Sequence, residues 1–127
     1  MNLRLLPLAV ECAVSLALAR VGMRLAPRRL LREAMSESGG AAVDPRVVAV
    51  FARVAARVPF GHNCVHRALA LQRVLARRGM GARMRIGIGQ KPQVFPGHAW
   101  LEANGAIIND HPEHVSRYTP LGKSLDA

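Results

Sequence analysis

Acidic residues are scarce in this sequence: eight Asp and Glu stand against eighteen Lys and Arg, a formal charge of +10 over 127 residues. That imbalance predicts attraction to acidic surfaces, whether nucleic acid, anionic lipid or an acidic protein. Aromatics are scarcer still, one Trp, one Tyr and three Phe. The basic residues are spread evenly, nine before Pro59 and nine after it, with no block interleaved with rings. The stacking platform of single-strand binding is therefore missing, and nucleic acid is not an expected partner. With so few rings, Ala, Leu, Val and Ile must fill the core. Only two cysteines occur, Cys12 and Cys64. This excludes a disulfide framework and suits a reducing cytoplasm in which Cys64 stays a usable thiol, while Cys12, inside an apolar stretch, is expected to be packed there.

A long uncharged run is also lacking. The apolar segment from Leu5 to Ala19 lies between Arg4 and Arg20 and carries Glu11 in its middle. It is shorter than the roughly 20 residues a membrane span needs and leads into a basic segment rather than a cleavage site. It is expected to form a helix packed on the domain or on a partner, with adsorption at the inner membrane surface as the alternative.

Half of the residues are hydrophobic, an ordinary globular composition, and the length suits one domain. Leu3 to about Met35 reads as helical in two pieces, because Pro27 can open a second helix while disturbing the first. Residues 36–43, with Gly39 and Gly40, read as a flexible connection. Asp44-Pro45 is an N-cap followed by a first-turn proline, and Val47, Phe51, Val54 and Val58 mark one face of the next helix, which Pro59 ends. A further helix carries Ala68, Leu71, Val74 and Leu75 on its buried stripe and stops at Arg77-Arg78-Gly79. Cys64 stands at its start. Ala82, Met84, Ile86 and Ile88 then alternate with Arg83, Arg85 and Gly87, the period of a half-buried strand. Gly97 to Glu102 and Ala106 to Asp110 make two more strands around Asn104-Gly105, a hairpin signal. The fold class is α+β, N-terminal helices followed by a helix bearing Cys64 and a small antiparallel sheet. The chain divides into a helical segment, 1–43, and a core, 44–127.

Cysteine attacks carbonyl carbon as the thiolate, so a nucleophilic Cys needs a lowered pKa, a nearby imidazole and a third group that holds the imidazole. Cys64 at a helix start, His98 in Gly97-His98-Ala99-Trp100 and Asp110 on the neighbouring strand suit those roles in that order. The competing readings are a packed small residue at 64, a surface or core histidine at 98 and a turn-opening aspartate at 110. His98 and Asp110 can cooperate only if both leave one face of the sheet. A two-residue Asn104-Gly105 loop would pair Ala99 with Asp110 and turn the two apart. A three-residue loop, 103–105, pairs Glu102 with Ala106, Trp100 with Ile108 and His98 with Asp110, and this register is the one expected. It would set Trp100 and Ile108 beside the pair, with Leu101 and Ile107 on the other face.

The stretch from about Phe60 to Asp110 resembles the B2 proteins of lasso-peptide biosynthesis, relatives of transglutaminases and papain-like proteases. The matching residues are Cys64 to Leu71, Val74 to Met80, the strand ending Ile86-Gly87-Ile88, His98 to Glu102, and Asn109-Asp110. The N-terminal helices are similar to the family in length and Arg/Leu-rich character. The resemblance implies a transglutaminase-like or papain-like core and a cysteine protease that removes the leader from a lasso-peptide precursor. By position, Cys64 would be nucleophile, His98 base and then acid, and Asp110 the orienting group, without metal or other cofactor. It also implies a separate leader-recognition protein and a lasso cyclase as partners. The N-terminal segment is too short and too helical to hold a fused recognition domain, so recognition in trans is expected. Arg67 would brace the site or bind an acidic group.

Two rival readings use the same residues. His62, Cys64 and His66 alternate, and His98, Asp110, His111 and His114 add ligand types, as in a metal-binding module. That set converges only if residues 62–66 form a strand. A thiol acyltransferase or amidase would share the fold and the thioester and differ in the second nucleophile.

Overall fold

A computed structural model describes residues 3–36, 39–89, 97–110 and 112–120. Four helices precede a four-stranded antiparallel sheet of order β3-β2-β1-β4. After a 3-10 turn at Leu3–Leu5 come α1 (Leu6–Leu25) and α2 (Pro27–Met35), separated at Ala26 with Pro27 at the first position of α2. In α3 (Pro45–Arg57), the Asp44 carboxylate accepts from Arg46 N–H at 2.9 Å, the expected cap. In α4 (Cys64–Ala76), Asn63 Oδ1 accepts from the N–H groups of Val65 and His66, at 2.9 and 3.1 Å. The sheet consists of β1 (Arg83–Gly89), β2 (His98–Ala103), β3 (Ala106–Ile107) and β4 (Tyr118–Pro120), with a short α5 (Pro112–Val115) before β4.

The fold is α+β, and the helices share one core. Cys12 and Leu16 of α1, Val50, Phe51 and Ala55 of α3, and Ala68, Leu71, Val74 and Leu75 of α4 pack with Met84, Ala99 and Leu101 from the inner face of the sheet. Segment 1–43 thus contributes to the same core as 44–127. Leu3–Leu25 is long and apolar enough to cross a membrane by length and composition alone. Its inner face is nevertheless docked, and Glu11 bridges Arg77 Nε (2.9 Å) and Arg78 Nη1 (2.6 Å) at the far end of α4. Gln72 Nε2 donates to the carbonyls of Ala34 and Ala82, both at 2.9 Å, tying α2 and the approach to β1 onto α4.

Three expectations need correction. Residues 39–43 are not a loose tether: Ala41 N–H donates to Gly79 O at 2.8 Å, and Ala41 bridges Met80 in parallel. The alternation in β1 holds at Ala82 and Met84, but Arg85 is also buried, because a second small cluster of Trp100, Val115 and Tyr118 covers the outer face. Arg85 Nε lies 3.7 Å from Glu102 Oε2 there, while Ile88, beyond the cover of the helices, is exposed. The third correction is the hairpin register. Ala103 pairs with Ala106 and Glu102 with Ile107, around a two-residue Asn104-Gly105 turn whose φ angles are 52° and 78°. Those left-handed angles define the turn type whose twist matches a hairpin, and Asn-Gly satisfies it at little cost. The expected three-residue loop does not form.

Candidate active site

The two-residue register alone would turn Asp110 away from His98, yet the two side chains meet. Ile108 N–H still donates to Leu101 O at 3.1 Å, but Leu101 N–H donates to the side-chain Oδ1 of Asn109 at 2.8 Å. An amide side chain thus takes a backbone acceptor's place in the ladder, and the chain bends through residues 108–110 instead of continuing as a strand. The bend brings Asp110 Oδ2 to His98 Nε2, which donates a hydrogen bond to it. Both side chains are 14% exposed, shielded enough for the contact to matter electrostatically. Ile107 and Ile108 exchange their expected places: Ile107 packs with Trp100, and Ile108 joins the main core.

With Nε2 engaged by Asp110, the imidazole nitrogen left for the Cys64 thiol is Nδ1. A hydrogen bond with the His98 side chain holds the Cys64 thiol below its usual pKa, against the opposing effect of burial and with help from Ala99 N–H. The same bond raises the His98 pKa above the usual imidazole value, again against burial, and Asp110 adds to the rise. The two shifts bring the pKa values toward each other and favour a thiolate facing an imidazolium. Behind the ring stand Trp100, stacked at 6.0 Å between centroids, and Tyr118 at 5.1 Å. Gly87, paired with His98 across the sheet, makes room for them: a Cβ there would lie 2.7 Å from Tyr118 Cβ and 2.9 Å from Trp100 Cη2.

Cys64, His98 and Asp110 open onto a cleft of about 440 Å³, walled by Val48 and Phe51 of α3 and by Arg67 and Ile108. Arg67, one turn along α4 from Cys64, lines this cleft directly. The start of α4 supplies fewer free donors than a bare helix end, because Asn63 occupies the N–H groups of Val65 and His66. The N–H of Cys64 makes no hydrogen bond to any described residue and is the donor left over for an oxyanion.

The alternating His62, Cys64 and His66 do not converge. Cys64 turns to His98, whereas His62 and His66 line a separate cleft with Arg20 and Arg24. Among the described residues no group of three or more His, Cys, Asp or Glu is placed to hold a metal ion. His111 and the side chain of His114 lie outside the described residues, as does 90–96. Asn109 and Tyr118 are parts of the site that the sequence pattern does not single out. Low β-propensity at Asn109-Asp110 was the available signal that the strand ends early; nothing in the local pattern marked Tyr118.

The model of the Transglutaminase-like superfamily matches residues 5–123. The chain is similar to the microcin J25-processing protein McjB of Escherichia coli, 38% identical over 53 residues, which cover 42% of this chain and 24% of that protein. It therefore spans about a quarter of that relative's length. No solved structure matches it. With nearly its whole length matched by the family model, the chain belongs to the transglutaminase-like superfamily.

Proposed function

We propose that this protein is the leader peptidase of a lasso-peptide maturation system, a cysteine protease acting through Cys64, His98 and Asp110. The observation that carries the reading is the single imidazole bonded on one side to a thiol at a helix start and on the other to a carboxylate. The likeness to a microcin-processing protein supports a precursor peptide as substrate.

In this reading the Cys64 thiolate attacks the carbonyl carbon of the scissile peptide bond, and the oxyanion that forms faces the Cys64 N–H. His98 passes its Nδ1 proton to the leaving amine, the C–N bond breaks, and the core peptide departs. The leader remains as a thioester on Cys64. His98 then takes a proton from water, whose oxygen displaces the sulfur and frees the leader as a carboxylic acid. Asp110 holds the ring in place and stabilises its charged form throughout. A leader-recognition protein in trans presents the precursor, a lasso cyclase takes the product, and the reaction runs in the cytoplasm without a metal. The test is incubation of purified chain, precursor and recognition protein, with products read by mass spectrometry. One cut at the junction of leader and core is expected; an intact precursor after many enzyme equivalents of time and protein would refute the assignment.

A further inference from the structure

The inner face of α1 is spoken for; its outer face is not. Leu6, Val10, Val14, Leu18, Val21 and Leu25 are each 45–79% exposed and recur every three or four residues, forming one continuous aliphatic stripe along the helix. A stripe of this length is more than the scattered apolar residues an ordinary surface carries. It contains no aromatic side chain, the residues that usually anchor a protein partner. Its border is cationic: Arg20 and Arg24 lie along one edge, Arg4 near the N-terminal end, and Arg28 follows in α2. Glu11, the acidic residue of α1, is already bound by Arg77 and Arg78, and Glu33 by Arg29.

Arg20 and Arg24 also open onto the cleft of about 420 Å³ that they share with Phe60, His62, Asn63 and His66, and among the described residues no carboxylate lines it. Burial first, and then the repulsion of Arg20 and Arg24, keep the His66 pKa below its usual value. An aliphatic stripe edged by guanidinium groups, with a cationic hollow at one end, complements acyl chains beneath phosphate headgroups. A second copy of this chain fits less well, since two surfaces with the same cationic edges and a net charge of +10 each would repel.

We propose that α1 is a peripheral docking surface for an anionic lipid bilayer, lying in the plane of the interface with its stripe among the acyl chains and with headgroup phosphate at Arg20 and Arg24. The helix does not span, because its inner face remains on α4. Asn63 and His66 flank Cys64, so docking sets the opening turn of α4 close to the membrane surface.

Co-sedimentation of the full chain with vesicles of phosphatidylglycerol and phosphatidylethanolamine, against vesicles of phosphatidylcholine, tests this without any activity assay, so it can fail independently of the protease assignment. The chain should pellet with the anionic vesicles and dissociate as salt is raised. Val14→Asp and Leu18→Asp, both at exposed positions, should abolish pelleting with an unchanged circular dichroism spectrum, and Arg20→Gln and Arg24→Gln should each weaken partitioning about five-fold. Equal binding to neutral vesicles, no binding to anionic ones, or variants that pellet like the parent would overturn the proposal. So would a stable dimer that Val14→Asp splits into monomers, or a loss of binding to the purified recognition protein in Val14→Asp with vesicle binding intact.

Discussion

Cys12 is fully buried, and its thiol is pushed up to about 11, first by burial and then by Glu11 beside it. Cys64 is partly accessible and shifted the opposite way by His98. Reactivity toward an alkylating agent should separate them: iodoacetamide should modify Cys64 with an apparent pKa below that of a free thiol, while Cys12 reacts only on unfolding. Cys12→Ala should leave cleavage within about two-fold of the parent, a small loss of packing far from the cleft. The pH profile of cleavage gives a sharper check. In the proposed mechanism the reacting pair needs an ionised Cys64 thiol, which the lowered pKa favours, and a protonated His98 ring, which the raised pKa favours, so activity should fall where acid protonates the thiolate and where base deprotonates the ring. Asp110→Asn removes a charge that favours the imidazolium, so the alkaline limb should move to lower pH and the rate at the optimum should fall about 10²-fold or more. An unmoved alkaline limb would mean that Asp110 does not act on His98.

The elements that carry the site were legible to different degrees. Helices α3 and α4 announce themselves through Asp44-Pro45, the apolar spacing of Val47, Phe51 and Val54, and the cationic end of α4, because capping and periodicity are local. The hairpin was harder. The requirement that His98 and Asp110 share a face asked for a register that set them opposite each other, while turn chemistry asked for Asn104 and Gly105 as the two central residues, and turn chemistry prevailed. The contact was restored by the Asn109 side chain entering the ladder, a tertiary event with no periodic signature. β4 has no local signature, because three residues ending in proline do not read as a strand. Two substitutions probe these elements. Asn63→Ala should cost about 1 kcal/mol in urea unfolding by uncapping α4. Gly87→Ala should cost about 1–3 kcal/mol by forcing Trp100 and Tyr118 off their seat behind His98, and should lower cleavage beyond what the lost stability explains.

At the scale of the whole molecule, the helical N-terminal segment packs into the same core as the helix and sheet that carry Cys64 and His98. Outside Cys64, His98 and Asp110 the cleft is lined by apolar side chains with Arg67 and Asn109 as its polar groups, which under the proposed function gives it little with which to read a long leader on its own. A recognition protein in trans should therefore raise the cleavage rate about 10²-fold or more at precursor concentrations well below saturation, by raising the effective concentration of the scissile segment. Chelators should leave that rate unchanged, since no step draws on a metal. The central claim is that the Cys64 sulfur is the attacking atom. Its most direct measurement is precursor cleavage by Cys64→Ala in the presence of the recognition protein, beside a circular dichroism spectrum matching the parent. The account predicts a folded protein that leaves the precursor whole; a folded Cys64→Ala that cuts at the parental rate would contradict it.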